Sequence, residues 1–298
     1  MKKKFSTEDL IFEIVLVLFM IIFLLVTVYP IWNTLVVSFN DGFDALAHKI
    51  HFWPHKFTLD NYKNVFSDDD LTTAFKNTFL RTVLGTALAL VLNALLAFVV
   101  SRKRFLFKKS VSIFWLITMY VGGGFIPTFI LYKWLHLTNT FWVYVIPGAV
   151  SAFNMLVMRN FMNDIPDSLE ESAEIDGAGY FTVFTKIISP LCKPVYATIA
   201  LFVAVWQWND WFVTKFYIID VKKRDSLTVL QYKLMQLLDT SQNKGGSSVS
   251  SMKEAAIQVT PQSLRCAATI FTMLPIVCVY PFLQRYFVTG LTIGGVKE

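Results

Sequence analysis

Charge is scarce in this chain: only 16% of its 298 residues are charged, and cysteine occurs three times. With 55% hydrophobic residues and a mean hydropathy of +0.52, too little polar surface remains to coat an ordinary soluble domain. Cys192, Cys266 and Cys278 all lie in or beside apolar segments. Cys266 and Cys278 are too far apart along one helix to bridge, so all three read as small packing residues, with no disulfide framework and no metal site. Catalytic signatures are missing too. There is no G-x-x-x-x-G-K-[ST] phosphate loop, no H-E-x-x-H and no G-x-S-x-G, and His136 has no evident partners. No catalytic residue and no bound cofactor is expected. The net charge of +6 marks cytoplasmic flanks of a membrane protein rather than nucleic-acid contact. No internal repeat is visible.

What the chain does have is long apolar runs. They predict an all-α polytopic membrane protein with six spans, near 10–32, 71–100, 110–134, 141–162, 195–219 and 264–283. The first run is too long for a signal peptide, so it is read as an uncleaved span following a short N-terminus, residues 1–9, with 10–298 as one transmembrane domain. Between the second and third spans, Ser101 to Lys109 carries five basic residues and no acid. Short loops dominate the positive-inside rule, so this link and Lys2 to Lys4 face the cytoplasm, as do both termini. Lys222, Lys223 and Arg224 in the long segment 220–261 count for little. Loops 40–70 and 220–261 are then outside, and 163–193 is inside.

In loop 40–70, His48, His51 and His55 recur at three- and four-residue spacing beside Phe52, Trp53 and Pro54. An irregular interfacial loop is the preferred reading over a metal site. Ser226 to Leu238 has helical apolar spacing and predicts an amphipathic surface helix, and Gly245-Gly246-Ser247-Ser248 a flexible loop tip.

The inner loop 163–193 is acidic, short and polar. Pro166 and Asp167 open a helix, and Ser168 with Glu171 fits a capping box. Glu170, Glu171 and Glu174 favour its positive N-terminal end, and Gly177 and Gly179 end it in a tight turn. Ala173 and Gly177 are small enough for a partner to approach closely. A protruding helix-turn-helix finger and a plain solvated loop fit these residues about equally.

The spacing Glu171-Ser172-Ala173, then Gly177, then Ile187 and Ser189-Pro190 resembles the EAA loop of bacterial ABC importer permeases. The family pattern has Ala at Ser172 and Leu at Ser189; both departures are local and spare the turn glycine and the proline. Asp176-Gly177-Ala178 matches as well. Trp53-Pro54 through Leu59-Asp60-Asn61-Tyr62, Trp208-Asn209-Asp210-Trp211-Phe212 and the ending Gly290-Leu291-Thr292-Ile293-Gly294-Gly295 resemble the carbohydrate branch, nearest to permeases for complex oligosaccharides. The resemblance implies the type I importer permease fold in a bacterial cytoplasmic membrane. It implies a second, non-identical permease, two ATPase subunits holding ATP and Mg, an extracellular substrate-binding lipoprotein and a sugar substrate. Glu170, Glu171, Ser172, Ala173, Asp176, Gly177, Ala178 and Gly179 would form the part that docks on an ATPase.

Intramembrane polar residues mark candidate substrate paths. Trp206, Trp208, Asn209 and Asp210 combine aromatic faces for sugar C–H surfaces with polar groups for hydroxyls. They fit an interfacial aromatic belt equally well, and Asp210 could simply pair with Arg81 or Arg265. Gly122, Gly123 and Gly124 with Pro127 predict an unwound stretch lining the path, with close helix packing as the alternative. Asn93 and Asn154 would bond the sugar or, more often, a neighbouring helix; Arg159 would anchor the inner edge. A permease for a non-sugar solute is one alternative. Another is an ion-coupled transporter, for which Glu13 and Asp210 are the only evident buried acids.

Overall fold

The computed structural model describes residues 7–67, 69–243 and 260–293. In chain order its helices are α1 (Thr7–Ser38), α2 (Gly42–Ala47), α3 (Asp60–Ser67), α4 (Asp69–Ser101), α5 (Lys108–Tyr120), α6 (Phe125–Trp134) and α7 (Ala152–Asn163). They continue with α8 (Ser168–Ile175), α9 (Tyr180–Thr182), α10 (Ser189–Leu191), α11 (Lys193–Asn209), α12 (Phe212–Tyr217), α13 (Val221–Leu227), α14 (Leu230–Asn243) and α15 (Pro261–Ile293). A 3₁₀ turn occupies Phe141–Tyr144, and a π-helical turn, Val183–Ile188, joins α9 to α10. Among the described residues the only β pairing is an isolated bridge, Asn40 with Phe57. Gly245-Gly246-Ser247-Ser248, Gly294 and Gly295 lie outside the described residues.

The chain forms two compact units, residues 1–68 with 236–273 and residues 69–235 with 274–298. In the first, α1 is apolar on every face, as a helix surrounded by hydrocarbon should be. The loop after it is organised by buried asparagines. Asn61 donates to the carbonyls of Ser38 and Asn40 at 2.9 Å each, and Asn40 accepts from the Lys56 amide at 2.9 Å. Asp41 caps α2 by accepting from the amides of Phe43 and Asp44.

In the second unit α4 is the central element, with α7 and α11 packed along it. Asn93 donates to the Ala149 carbonyl at 3.0 Å and accepts from the Ser151 amide at 3.0 Å, stitching α4 to the start of α7. Asn93 thus takes the protein-bonding alternative. Arg159 donates to Ser112 Oγ at 2.8 Å.

The six-span pattern is resolved differently in three places. Among the described residues three helices are long and apolar enough to cross a membrane, Glu8–Ser38, Asp69–Ser101 and Pro261–Pro281, and five if each of two sharply bent pairs counts as one span. The third expected span bends by 114° between α5 and α6 at the glycines expected to unwind it, Gly124 taking φ +80°. The fourth is a 3₁₀ turn, an irregular stretch through Pro147 and Gly148, and the 12-residue α7. The fifth stops at Asn209, where Asp210 turns extended (φ −77°, ψ 116°). The expected amphipathic helix over 226–238 is broken at Thr228 (φ −57°, ψ 149°) into α13 and α14. Asn77 holds that break by donating to the carbonyls of Ser226 and Thr228 at 2.9 Å each, and Val229 and Leu230 are buried in the chain itself.

Candidate functional site: a protruding finger and an aromatic cavity

The finger is built by α8, the turn after it and the α9–π–α10 segment. Asp167 precedes α8 with helical dihedrals and no side-chain cap, so the expected Ser168–Glu171 capping box does not form. The acids are drawn off instead. Arg102 pairs with Glu170, Lys103 with Asp167, and Arg104 Nη1 with Glu174 Oε1 at 2.8 Å. The basic link after α4, which sequence analysis used only for topology, is therefore the clamp that holds the finger's first helix. The Lys103 ammonium holds the Asp167 carboxyl below the ordinary carboxylate range, and Asp167 raises Lys103 in return.

α8 ends in a full Schellman closure. The Ala178 amide reaches the Ala173 carbonyl at 2.9 Å and the Gly177 amide the Glu174 carbonyl at 3.0 Å, with Gly177 at φ +79°. A side chain at Gly177 would meet nothing within 4 Å, so glycine is required there by backbone conformation, not by crowding. Ala173 is buried in the chain's own core with Val183, Ile188 and Cys192, and Ala178 packs against it. Its small side chain serves that internal packing and is not presented to a partner. Glu171, Ser172, Asp176 and Gly179 are exposed, Ser172 Oγ bonding back to the Ser168 carbonyl at 2.8 Å. Around them stand Ile175, 86% exposed, Phe181, 75% exposed, and Tyr180. The tip thus exposes three large apolar side chains close in sequence to acidic Glu171 and Asp176, which makes it a candidate docking surface. A π turn in the second arm is the kind of irregularity that clusters at functional sites.

The cluster at the end of α11 divides. Trp206 is 53% exposed and, with Asn209, Asp210, Trp211, Phe202 and Tyr280, lines a cavity of about 700 Å³. Trp208 is 6% exposed and packs edge-on against Phe75 at 6.0 Å, away from that cavity. A second cavity of about 300 Å³ adjoins Trp206 and is lined by Asn154, Ser151, Gly148 and Phe202. Asp210 pairs with Arg81, the first of its two expected partners. Arg81 is fully buried: Nη2 meets Asp210 Oδ2 at 2.8 Å, Nη1 the Asp210 carbonyl at 2.9 Å, and Nε Gln207 Oε1 at 3.0 Å. Gln207 then donates to the Tyr144 carbonyl at 3.1 Å. Sequence analysis missed Gln207, although a glutamine between two tryptophans in an apolar helix is itself a signal of a buried polar network. Gly122, Gly123 and Gly124 are exposed, and a side chain on any of them would meet nothing within 4 Å. They form an unwound bend and are not a close-packing surface.

Long apolar helices, an exposed loop between two of them and an aromatic-lined cavity are features of a membrane transport component. Residues 4–293 match the binding-protein-dependent transport system inner membrane component family, and the chain belongs to it. It is 33% identical over 292 residues to the polygalacturonan/rhamnogalacturonan transport system permease protein YtcP of Bacillus subtilis, covering 97% of this chain and 99% of that one. It is 35% identical over 273 residues to the protein LplC of the same organism, covering 91% and 90%. Its fold matches a chain of a bacterial ABC transporter involved in the import of the acidic polysaccharide alginate, with TM-score 0.86, 26% identity, and 96% and 100% coverage.

Proposed function

We propose that this chain is one permease of an ATP-driven importer for oligosaccharides released from a polysaccharide, and that its finger takes up the motion of a cytoplasmic ATPase. The observation that carries this is the finger tip, where exposed Ile175, Tyr180 and Phe181 stand beside Glu171 and Asp176 on a turn locked by Gly177. In this reading residues 163–193 and both termini are cytoplasmic. The nucleotide and its Mg belong to two ATPase subunits, and a second permease completes the path. A binding protein outside delivers the sugar. Trp206, Phe202, Trp211 and Tyr280 supply faces for sugar rings, while Asn209 and Asn154 supply hydrogen bonds to hydroxyls. The relatives named for pectic polymers and alginate support the substrate class. Nothing in the chain favours a non-sugar solute or ion coupling.

The test replaces exposed apolar tip residues, which leaves the fold intact. With Ile175→Asp and Phe181→Asp, permease abundance should be unchanged, while co-purified ATPase and oligosaccharide uptake should fall at least about 10-fold, about 1.4 kcal/mol of lost contact. Unchanged ATPase recovery would refute docking through the finger. Intact recovery with no uptake of any oligosaccharide by the native transporter would refute the substrate class alone.

A further inference from the structure

Loop 40–70 brings together three side chains that sequence spacing did not group. Of the three histidines that recur at three- and four-residue spacing, His51 is withdrawn: its Nδ1 lies 2.8 Å from the Tyr29 hydroxyl. Asp44 takes its place. His48 Nδ1 is 3.2 Å from Asp44 Oδ1, and His55 Nδ1 is 3.5 Å from Asp44 Oδ2. One donor atom from each of Asp44, His48 and His55 lies within 4.8 Å of the others.

We propose that Asp44, His48 and His55 form a binding site for a divalent transition metal of the zinc type, with solvent completing the coordination. Bonds of about 2.0–2.2 Å from zinc to nitrogen or oxygen put neighbouring donors of a tetrahedron roughly 3.3–3.6 Å apart. The two observed carboxylate–imidazole separations, 3.2 Å to Oδ1 and 3.5 Å to Oδ2, fall near that spacing on the two oxygens of one carboxylate, so an ion held between those oxygens would be within reach of both imidazoles. The remaining imidazole–imidazole gap closes by ring rotation, which is unobstructed because both histidine side chains are more than half exposed. The carboxylate, in contrast, is held in place. Asp44 is buried, and Asn40 Nδ2 donates to its Oδ2 at 3.0 Å while Asn40 Oδ1 is fixed by the Lys56 amide. Such outer hydrogen bonds orient a ligand before the metal arrives.

Imidazole–carboxylate sets suit zinc and its transition-metal neighbours rather than magnesium or calcium. His48 sits at the end of α2 and His55 beyond the aromatic turn Phe52-Trp53-Pro54, so a bound ion would cross-link α2 to that turn.

The experiment uses the assembled transporter, purified through a histidine-free tag, stripped with chelator and titrated with Zn²⁺ against a chromophoric competitor. The native chain should bind one equivalent. His48→Ala and His55→Ala should each weaken binding about 100-fold or more, beyond what loss of an outer-shell partner costs. His51→Ala should bind as the native chain does. Co²⁺ should give a tetrahedral visible spectrum that His48→Ala abolishes. Melting temperatures without metal should be equal across the four chains. Native binding no tighter than that of the His48→Ala/His55→Ala double variant would mean that these groups form ordinary ion pairs only, and would overturn the proposal. Equal loss in His51→Ala would overturn it as well.

Discussion

Arg81 and Asp210 form an ion pair in which the arginine is fully buried and each of its three guanidinium nitrogens donates a hydrogen bond, two to Asp210 and one to Gln207. The pair ties the middle of α4 to the point where α11 ends. Asp210 also accepts from the Phe212 amide at 3.0 Å and so starts the next short helix. The charge that looked like a substrate contact is therefore largely occupied in holding the backbone break at the rim of the larger cavity.

Removing both partners should cost less than the sum of removing each alone. Arg81→Met leaves the Asp210 carboxylate and Gln207 Oε1 without their donor, and should lower stability by about 3–5 kcal/mol. Asp210→Asn leaves the arginine's charge uncompensated. In Arg81→Met/Asp210→Asn the losses should fall short of their sum by about 0.5–3 kcal/mol. Equilibrium unfolding of the three variants in mixed micelles measures this, and simple additivity would contradict the coupling.

The two tryptophans of α11 should separate function from stability. Trp206→Ala removes the aromatic face between the two cavities, and oligosaccharide uptake should fall about 10-fold, near the upper end of one aromatic contact. Its stability should change by less than about 1 kcal/mol, because half of the side chain is exposed. Trp208→Ala empties a buried site against Phe75 and should cost about 3–5 kcal/mol. Uptake per folded transporter, set beside unfolding curves, distinguishes the two.

Acid should loosen the finger from its clamp only below the physiological range. Asp167 titrates lower folded than unfolded, because Lys103 bonds its ionised form. Its contribution is present above the unfolded value and is lost as pH falls through the folded one. Hydrogen exchange of residues 163–193 should therefore be flat from about pH 5 to 8, once corrected for intrinsic rates, and should accelerate in acid. High salt should weaken the exposed Lys103 and Arg104 pairs before the more buried Arg102–Glu170 pair.

Much of the finger was legible because its determinants are local. The turn at Gly177, the acidic first turn of α8 and the apolar residues that bury its inner side all follow from spacing along one helix. The clamp was not legible: Arg102 meets Glu170 at a sequence separation of 68, and charge counting alone assigns such a link to topology. The long apolar runs located α1, α4 and α15, but hydropathy is blind to where a helix breaks. Asp210, Pro147 with Gly148, and Gly122 to Gly124 each end a helix inside a run that stays apolar. In the outer loop the histidine spacing reads as an irregular loop and leaves Asp44 unnoticed, because it is the short helix started at Asp41 that turns Asp44 inward beside His48 and His55, while Tyr29 takes His51.

At Cys192, α9–α10 and α11 meet at 79° around a buried thiol whose amide is bonded to the Ile188 and Ser189 carbonyls. If the finger takes up a partner's motion as proposed, that joint would make the two segments a bell crank. α11 has 17 residues, so at about 1.5 Å of rise per residue its lever arm is roughly 25 Å. A tilt of about 10° imposed at the short arm sweeps Trp206 and Asn209 through roughly 4 Å, wider than a water molecule, by that same rise per residue. The mechanical gain of the crank is set by where the helix stops, so moving the stop at Asp210 by one turn would change the stroke at the cavity without touching the finger.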